Sequence, residues 1–375
     1  MKVAVHHRCA DFASYRAARV KSLFNVESGA DFEVAAELDV DDAAWRIGVI
    51  VGPSGSGKTS LGRALWGPQA LYAPAWPADA PIIDAIAPEG EDGAFDAVTA
   101  ALASVGLGTV PTWLRPFHVL SNGEQFRATL ARLIAEAPAR AVVDEFSSVV
   151  DRQIAQVGAG AFAKAWRRTG GQAVLLSCHY DVLDWLQPDW VLDTRTGAFQ
   201  RGCLWRRPRI AVDVWQAGWD HWPAFAPHHY LSLPRMIAAT NYVATVGGQL
   251  VAHVAVSTRS RTEARASRLV VMPEWQGAGV GLRFLDAVCE LWRQGRNRYG
   301  RPMLTLFHTS HPGLCQALRR SPRWTQVSAS LVGGDRERSK ASMAASAARQ
   351  GRPGLGSGYG GHWRAVQGFR YLGDP

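Results

Sequence analysis

Short apolar runs and helical stripes alternate along this 375-residue chain. Ile47-Gly48-Val49-Ile50-Val51 is a compact β-branched run that predicts a short strand, and residues 60–66 after it read as helix. Ala141-Val142-Val143 and residues 173–179 predict two further buried strands, with a helical run ending at Ala137 ahead of the first. Residues 185–222 read as a connector rich in Trp and Arg, broken by Pro188 and Pro208, with 193–197 as the turn before a last strand of the first half. Residues 241–256 predict a hairpin about Gly247-Gly248, and 266–272 predict a strand. An amphipathic helix over 282–288, a strand over 303–307 and a closing strand over 361–372 complete the pattern. The pattern changes near 205, giving domains 1–205 and 206–375.

Composition narrows the class. With 47% hydrophobic and 19% charged residues the chain is globular rather than disordered. It has no apolar run near the ~18 residues of a membrane span and no signal-peptide run at its start, so a cytoplasmic protein with no membrane partner is expected. Cys9, Cys178, Cys203, Cys289 and Cys315 lie far apart without a CxxC pair, which favours reduced thiols over disulfides or zinc.

Charge is divided unequally. Residues 1–200 hold 17 lysines and arginines against 23 acids; residues 201–375 hold 24 against 9, and 23 of those 24 are arginine. Arginine's planar fork suits phosphate oxygens and stacks on bases, so the second half is expected to meet nucleic acid, DNA or RNA. Residues 319–361, with Arg319, Arg320, Arg323, Arg336, Arg338, Lys340, Arg349 and Arg352, form a basic low-complexity insertion, either a solvated loop or an arm that grips a phosphate backbone.

Between the strand at 47–51 and the helix at 60–66 stands Gly52-Pro53-Ser54-Gly55-Ser56-Gly57-Lys58-Thr59, a phosphate-binding loop. Its glycines let successive backbone N–H groups converge on phosphate oxygens at a helix N-terminus. Gly52, Ser54, Gly55, Gly57, Lys58, Thr59 and Ser60 are the predicted ATP-binding residues, with Lys58 on the β- and γ-phosphates and Thr59 on Mg²⁺. Asp144 and Glu145 follow a buried strand, where one carboxylate holds Mg²⁺ and its neighbour orients the attacking water.

Taken with Leu120-Ser121-Asn122-Gly123-Glu124-Gln125, Asp151 and His179, these residues resemble the nucleotide-binding domain of the ABC ATPase superfamily. The resemblance implies a P-loop α/β domain in which Ser121 and Gly123 cap a partner's ATP, Asp144 with Thr59 binds Mg²⁺, and Glu145 is the general base. Asp151 falls at the D-loop and His179 at the switch position. Asn122 stands where glycine is usual. Gln69, Trp76 and Asp79 are the candidates for the Q-loop place. Phe24 is the candidate for stacking on adenine, and a buried core phenylalanine is the alternative. The resemblance further implies an ATP-dependent homodimer.

A second motif, Gln276-Gly277-Ala278-Gly279-Val280-Gly281, follows the strand ending Val271-Met272-Pro273 and opens the next helix. Hairpin, strand, loop, helix and strand together resemble the GNAT acyltransferase superfamily. That resemblance implies an α+β GNAT-fold domain whose Val271 and Gln276 to Gly281 bind an acyl-CoA such as acetyl-CoA. His228, His229, Tyr230, His308, His311 and Glu274 are the candidates for its proton transfers. The family's usual tyrosine after the strand at 303–307 is absent.

The two motifs together point to an ATP-hydrolysing enzyme that acylates a base of DNA or RNA. A relation to Mom-type DNA modification proteins, a divergent GNAT branch, is one form this takes, and tRNA-cytidine acetyltransferases likewise join an ATPase to a GNAT domain. Two alternatives stand beside it. One is an acetyltransferase of proteins or small molecules with a regulatory ATPase. The other is a DNA-associated ABC ATPase whose GNAT-like domain only binds.

Overall fold

A computed structural model of the protein describes residues 1–24, 31–40, 45–86, 94–202, 209–229, 235–236, 238–332, 341, 344–345, 348–349 and 364–374. The side chain of Phe24 and residue Tyr230, both named above, lie outside the described residues. Packing divides the chain into two units, Met1–Trp76 with Glu136–Pro208 and Pro77–Ala135 with Arg209–Pro375. The sequence boundary at 205–206 falls three residues before the break at 208–209, and one segment groups differently. Residues 77–135 group with the C-terminal part of the chain, because their apolar faces and turn carbonyls are engaged there.

In the first unit, β1 (Lys2–Arg8) and β2 (Asp31–Glu37) form a two-stranded antiparallel sheet. A five-stranded sheet contains β3 (Ile47–Val51), β4 (Arg140–Val143), β5 (Gln172–Ser177), β6 (Trp190–Asp193) and β7 (Ala198–Arg201) in the order β4-β5-β3-β6-β7. All pairs are parallel except β6 with β7. Every residue of β3 and β5 is buried, which is why both read as unbroken apolar runs rather than alternating ones. Trp190, expected in a connector, instead lies fully buried in β6. Its ring occupies the space beside Gly48, where an added Cβ would lie 1.9 Å from Cζ2.

The second unit is built on a seven-stranded sheet. Its members are β8 (Asp213–Ala217), β9 (Thr240–Val246), β10 (Gln249–Thr258), β11 (Glu263–Val271), β12 (Leu304–Thr309), β13 (Trp324–Val332) and β14 (Arg364–Tyr371). The order is β13-β14-β12-β11-β10-β9-β8, antiparallel throughout except β11 with β12. Gly247 and Gly248, at φ +55° and +83°, make the two-residue turn of the β9–β10 hairpin, as their spacing predicts. Helix Val280–Arg293 joins β11 to β12 and buries Phe284, Leu285, Val288, Cys289 and Trp292 in the core with Ala264, Ala266, Phe307 and Phe369.

Two expectations change here. Residues 319–332 are not low-complexity loop: they complete helix Pro312–Arg320 and form β13, an edge strand. The strand at 364–371 does not close the sheet but lies inside it, between β12 and β13. Most of the remaining insertion, including Arg336, Arg338, Lys340 and Arg352, lies outside the described residues.

Gly48→Ala forces its methyl into the Trp190 ring and is expected to lower the stability of the first unit by roughly 1–3 kcal/mol, the usual range for overpacking. Gly170→Ala, where an added Cβ meets nothing within 4 Å, is the control expected to leave the urea midpoint in place.

Candidate functional site

The phosphate-binding loop sits where β3 ends and helix Lys58–Trp66 begins. Gly55 and Gly57 adopt φ of +78° and +82°, a left-handed conformation open to glycine at little cost. Gly57 is constrained twice over, since a Cβ there would lie 2.8 Å from Val34 Cγ1 and 3.0 Å from Phe32 Cε1. Lys58 Nζ donates to the carbonyls of Gly52 at 2.8 Å and Pro53 at 2.7 Å. Thr59 Oγ1 donates to Asp144 Oδ1 at 3.1 Å, which also accepts from the Glu145 amide at 2.9 Å.

These groups line one cleft of about 400 Å³. Ser54, Gly55, Gly57, Lys58, Thr59 and Ser60 form one wall; Asp144, Glu145, Ser148 and Cys178 form another. His7 and Phe32 complete the lining, their rings stacked at 6.3 Å, and His7 Nε2 meets Ser60 Oγ at 2.7 Å. Sequence reasoning missed both aromatic residues, because β1 and β2 carry no motif and only their pairing brings them over the loop. A triphosphate fits this cleft: a lysine, glycine amides and a helix N-terminus face it. The paired oxygens of Thr59 and Asp144 suit a Mg²⁺ ion that takes its remaining ligands from phosphate and water. Glu145 stands at φ +48° and Ser147 at +66°, so two closely spaced left-handed residues present the Glu145 carboxylate at the exposed edge of the cleft.

The chain aligns at 31% identity over 166 positions with the cytochrome c biogenesis ATP-binding export protein CcmA of Rhodospirillum rubrum, covering 36% of this chain and 68% of that one. The chain belongs to the ATP-binding cassette family. Among solved structures, it resembles a dimeric bacterial ABC transporter cassette at 11% identity and a TM-score of 0.36, over 46% of this chain and 93% of the other. It also resembles a Clostridium perfringens protein of the ABC transporter complex cbiONQ at 16% identity and a TM-score of 0.32, over 44% and 76%. The family assignment rests on the sequence match and not on these scores. No protein-family model matches the chain, and no helix among the described residues is long and apolar enough to cross a membrane.

The remaining cassette residues fall elsewhere. Asp151 caps helix Arg152–Trp166, its Oδ1 accepting from the Ile154 amide at 2.9 Å. His179 adjoins the cleft residue Cys178 but is not itself in the lining. Burial, then the nearby Arg152 guanidinium, holds it below the ordinary histidine range, with Asp181 acting in opposition. Gln69, Trp76 and Asp79 do not line the cleft. Ser121 and Glu124 form a capping box at the start of helix Asn122–Glu136, with Ser121 N and Oγ donating to Glu124 Oε2 at 3.0 and 2.9 Å. Burial opposes the Glu124 charge, but these bonds and one from Thr112 outweigh it and hold the carboxyl below its usual range.

In the second unit, β11 passes through residues 272–279 into helix Val280–Arg293. Gly277 and Gly279 are exposed and left-handed, at φ +91° and +79°. The Gln276 side chain is already committed. Its Oε1 accepts from Gly108 N at 2.8 Å and its Nε2 donates to Val271 O at 3.0 Å. The segment 106–108 lies so close that a Cβ at Gly106 would approach Gln276 O to 2.0 Å. Arg127, on the helix that follows the signature sequence, donates to the carbonyls of Gly106, Pro273 and Glu274.

The candidate histidines separate into different roles. His311 is structural: Nδ1 accepts from Leu314 N to cap helix Pro312–Arg320, and Nε2 meets Gly108 O at 2.9 Å. With both ring nitrogens engaged it has none to offer a substrate, which removes it from the proton-transfer candidates. His228 ends a short 3₁₀ turn and His229 packs edge-on to Trp222. His308, in β12, lies opposite Gly368 of β14, and its Nδ1 is buried without a hydrogen-bond partner among the described residues. Burial, then Arg265 and Arg259, lowers its pKa to about 4. His253 was not singled out from sequence; it is fully buried against Trp222 and Phe225, and burial lowers its pKa to about 4 as well.

Two outcomes follow for the second unit. Arg127→Met removes the side-chain donor from the carbonyls of Gly106 and Glu274, at about 1–3 kcal/mol for each left unsatisfied, while Pro273 O keeps the Gln276 amide; Arg127→Lys recovers only part, since one ammonium cannot span the fork. Urea unfolding reads the difference. His253 and His308 stay neutral in the folded chain down to about pH 4, whereas unfolded histidine protonates near 6.5. Their contribution is therefore present above pH 6.5 and lost as pH falls from there to 4. His308→Asn is expected to flatten the fall in melting temperature across that window.

Proposed function

We propose that this chain couples ATP hydrolysis by a dimerising cassette to acyl transfer onto an exocyclic amine of a DNA or RNA base. The observation that carries the reading is the succession β11, glycine loop, helix, parallel β12 inside the seven-stranded sheet. It supports a GNAT-like domain with Gly277 and Gly279 exposed at a helix N-terminus, able to receive the pyrophosphate of an acyl-CoA. Val271 packs beneath this turn, against the face of Gly281. A base amine is shielded inside a duplex and extruding it costs a few kcal/mol, which gives ATP a role on the same chain.

In the cassette, Lys58 and the loop amides bind the β- and γ-phosphates, while Thr59 and Asp144 hold Mg²⁺, which neutralises phosphate charge when bound. Glu145 orients the attacking water, and His179, one residue past the cleft residue Cys178, takes the switch role. His7 and Phe32 take the base-stacking place assigned to Phe24. Ser121 and Gly123 act on a partner's ATP, and Asp151 stands at the same dimer contact. In the transferase, the amine lone pair attacks the thioester carbonyl carbon and the C–S bond breaks. His308 accepts the amine proton and the thiolate leaves, taking its proton from solvent. His228 and His229 lie on the segment before the sheet and are the second choice for this base.

A second reading is favoured by one observation. Gln276 and the 106–108 segment occupy part of the loop's surface, as suits a GNAT-like fold that binds without transferring. Incubation with ¹⁴C-acetyl-CoA, DNA, RNA, cell lysate and ATP separates these. ATP-dependent label in nucleic acid is the expected result. Label in protein or small molecules replaces the acceptor, and no acyl-CoA binding leaves the non-catalytic reading. Lys58→Ala is expected to lower ATP hydrolysis about 10²-fold or more, and Glu145→Gln to accumulate an ATP-bound dimer in light scattering. A Glu145→Gln protein that stays monomeric with ATP overturns the dimer.

A further inference from the structure

One face of the C-terminal sheet carries a cluster of cations that the cassette does not use. Strand alternation turns Ala264 and Ala266 of β11 into the core under helix Val280–Arg293, and Arg265 therefore onto the opposite face. Register extends the row. Arg265 pairs with Leu306 of β12, Leu306 with Arg370 of β14, and Arg370 with Thr325 of β13. Directly opposed residues share a face, so Arg265 and Arg370 flank Leu306 about two strand spacings, roughly 10 Å, apart. His308 is the next residue of β12 on that face. Gly368 opposite makes room for its ring, because a Cβ at 368 would meet Nε2 at 2.8 Å.

The charges are poorly compensated. Glu263 is the acid that meets the cluster, at 3.7 Å from Arg259 and 3.9 Å from Arg370. Burial, then the nearby Arg259 guanidinium, disfavours the charge of Arg265. The Nε atoms of Arg265 and Arg370 and the Nδ1 of His308 are buried without a hydrogen-bond partner among the described residues. Buried donors left unpaired and like charges held together both cost free energy. An anion with several acceptor oxygens relieves both, and a phosphate offers them in the geometry a guanidinium fork matches.

We propose that Arg259, Arg265 and Arg370, with His308 beside them, form a subsite for phosphate groups of the acceptor, and that these phosphates belong to a nucleic-acid strand. The strand is favoured over a free nucleotide because three arginines on three separate segments span more than one phosphate. This inference rests on the acyl-transfer reading for its purpose but not for its test. An adjacent phosphate held here fixes the base beside His308 without contact to the base itself.

The test is fluorescence anisotropy of a labelled single-stranded oligonucleotide, DNA or RNA, on the full chain, with mononucleotide and inorganic phosphate as competitors. Arg265→Gln and Arg370→Gln are each expected to weaken binding several-fold and to reduce the slope of log K against log salt by about one. Arg296→Gln, an exposed arginine on the loop after helix Val280–Arg293, is the control for charge alone. Oligonucleotide binding that Arg265→Gln and Arg370→Gln weaken no more than Arg296→Gln overturns the subsite. Inorganic phosphate or mononucleotide competing as well as the oligonucleotide, per phosphate, overturns the strand as its source. Arg370, whose side chain is 40% exposed, keeps the test valid if Arg265→Gln unfolds, and the melting temperature of each variant is recorded alongside. Strand binding lost in these variants, together with no label transfer by the wild type, sustains the subsite and removes the acyl-transfer reading. Label transfer by the wild type with unaltered strand binding in the variants does the reverse.

Discussion

The guanidinium of Arg127 holds together the part of this molecule that its sequence divides. It is 3% exposed and donates to carbonyls at Gly106, Pro273 and Glu274. Its own helix begins with the residues that the sequence reads as a cassette signature, while the carbonyls it binds belong to a turn of the preceding segment and to the loop that leaves β11. A buried arginine in this position is costly unless its donors are met, and it therefore fixes the segments that meet them. Gln276 and His311 strengthen the same knot by bonding both backbone groups of Gly108. The signature helix and the glycine loop of the C-terminal sheet are thus parts of one packed unit, and a displacement of either strains the other.

Such a knot bears on what each motif can do. The helix that opens with Asn122 has its second turn bonded to the loop proposed to receive a pyrophosphate. Coupling between two sites requires a physical element that both bias. The turn at 106–108, gripped by Arg127, Gln276, His311 and the Trp113 indole, is bonded to both of these segments. It also narrows the approach to Gln276, so the exposed amides at Gly277 and Gly279 carry whatever anion the loop binds.

Much of this is legible in the order of residues alone. The phosphate loop, Asp144-Glu145, the β9–β10 hairpin and the helix after Gly279 each follow from local chemistry: glycine at left-handed positions, apolar runs in strands covered on both faces, and apolar spacing on a helix. What is not legible depends on long-range pairing. His7 and Phe32 reach the nucleotide cleft only because β1 and β2 pair across it. Trp190 reads as linker because tryptophan beside proline and arginine carries no period, and its partner is the missing side chain of Gly48. His311 reads as catalytic because a lone histidine after a strand says nothing of the carbonyl it will meet 203 residues away.

The charge asymmetry changes its meaning for the same reason. Along the sequence, the chain divides into an acidic half and a strongly basic one. Grouped by packing, Met1–Trp76 with Glu136–Pro208 holds 17 lysines and arginines against 16 acids, and Pro77–Ala135 with Arg209–Pro375 holds 24 against 16. The acidic stretch between 77 and 135 joins the basic sheet and offsets a good part of its field. A diffuse electrostatic attraction is then weaker than the sequence suggests, because net charge, not arginine count, sets the far field. What remains strong is local. Arg265 and Arg370 stand in one row of a sheet, partly desolvated, with Glu263 as the one acid paired to the cluster among the described residues. Screening by salt acts least on charges placed in this way, so an anion that finds them is held by geometry more than by the charge of the whole.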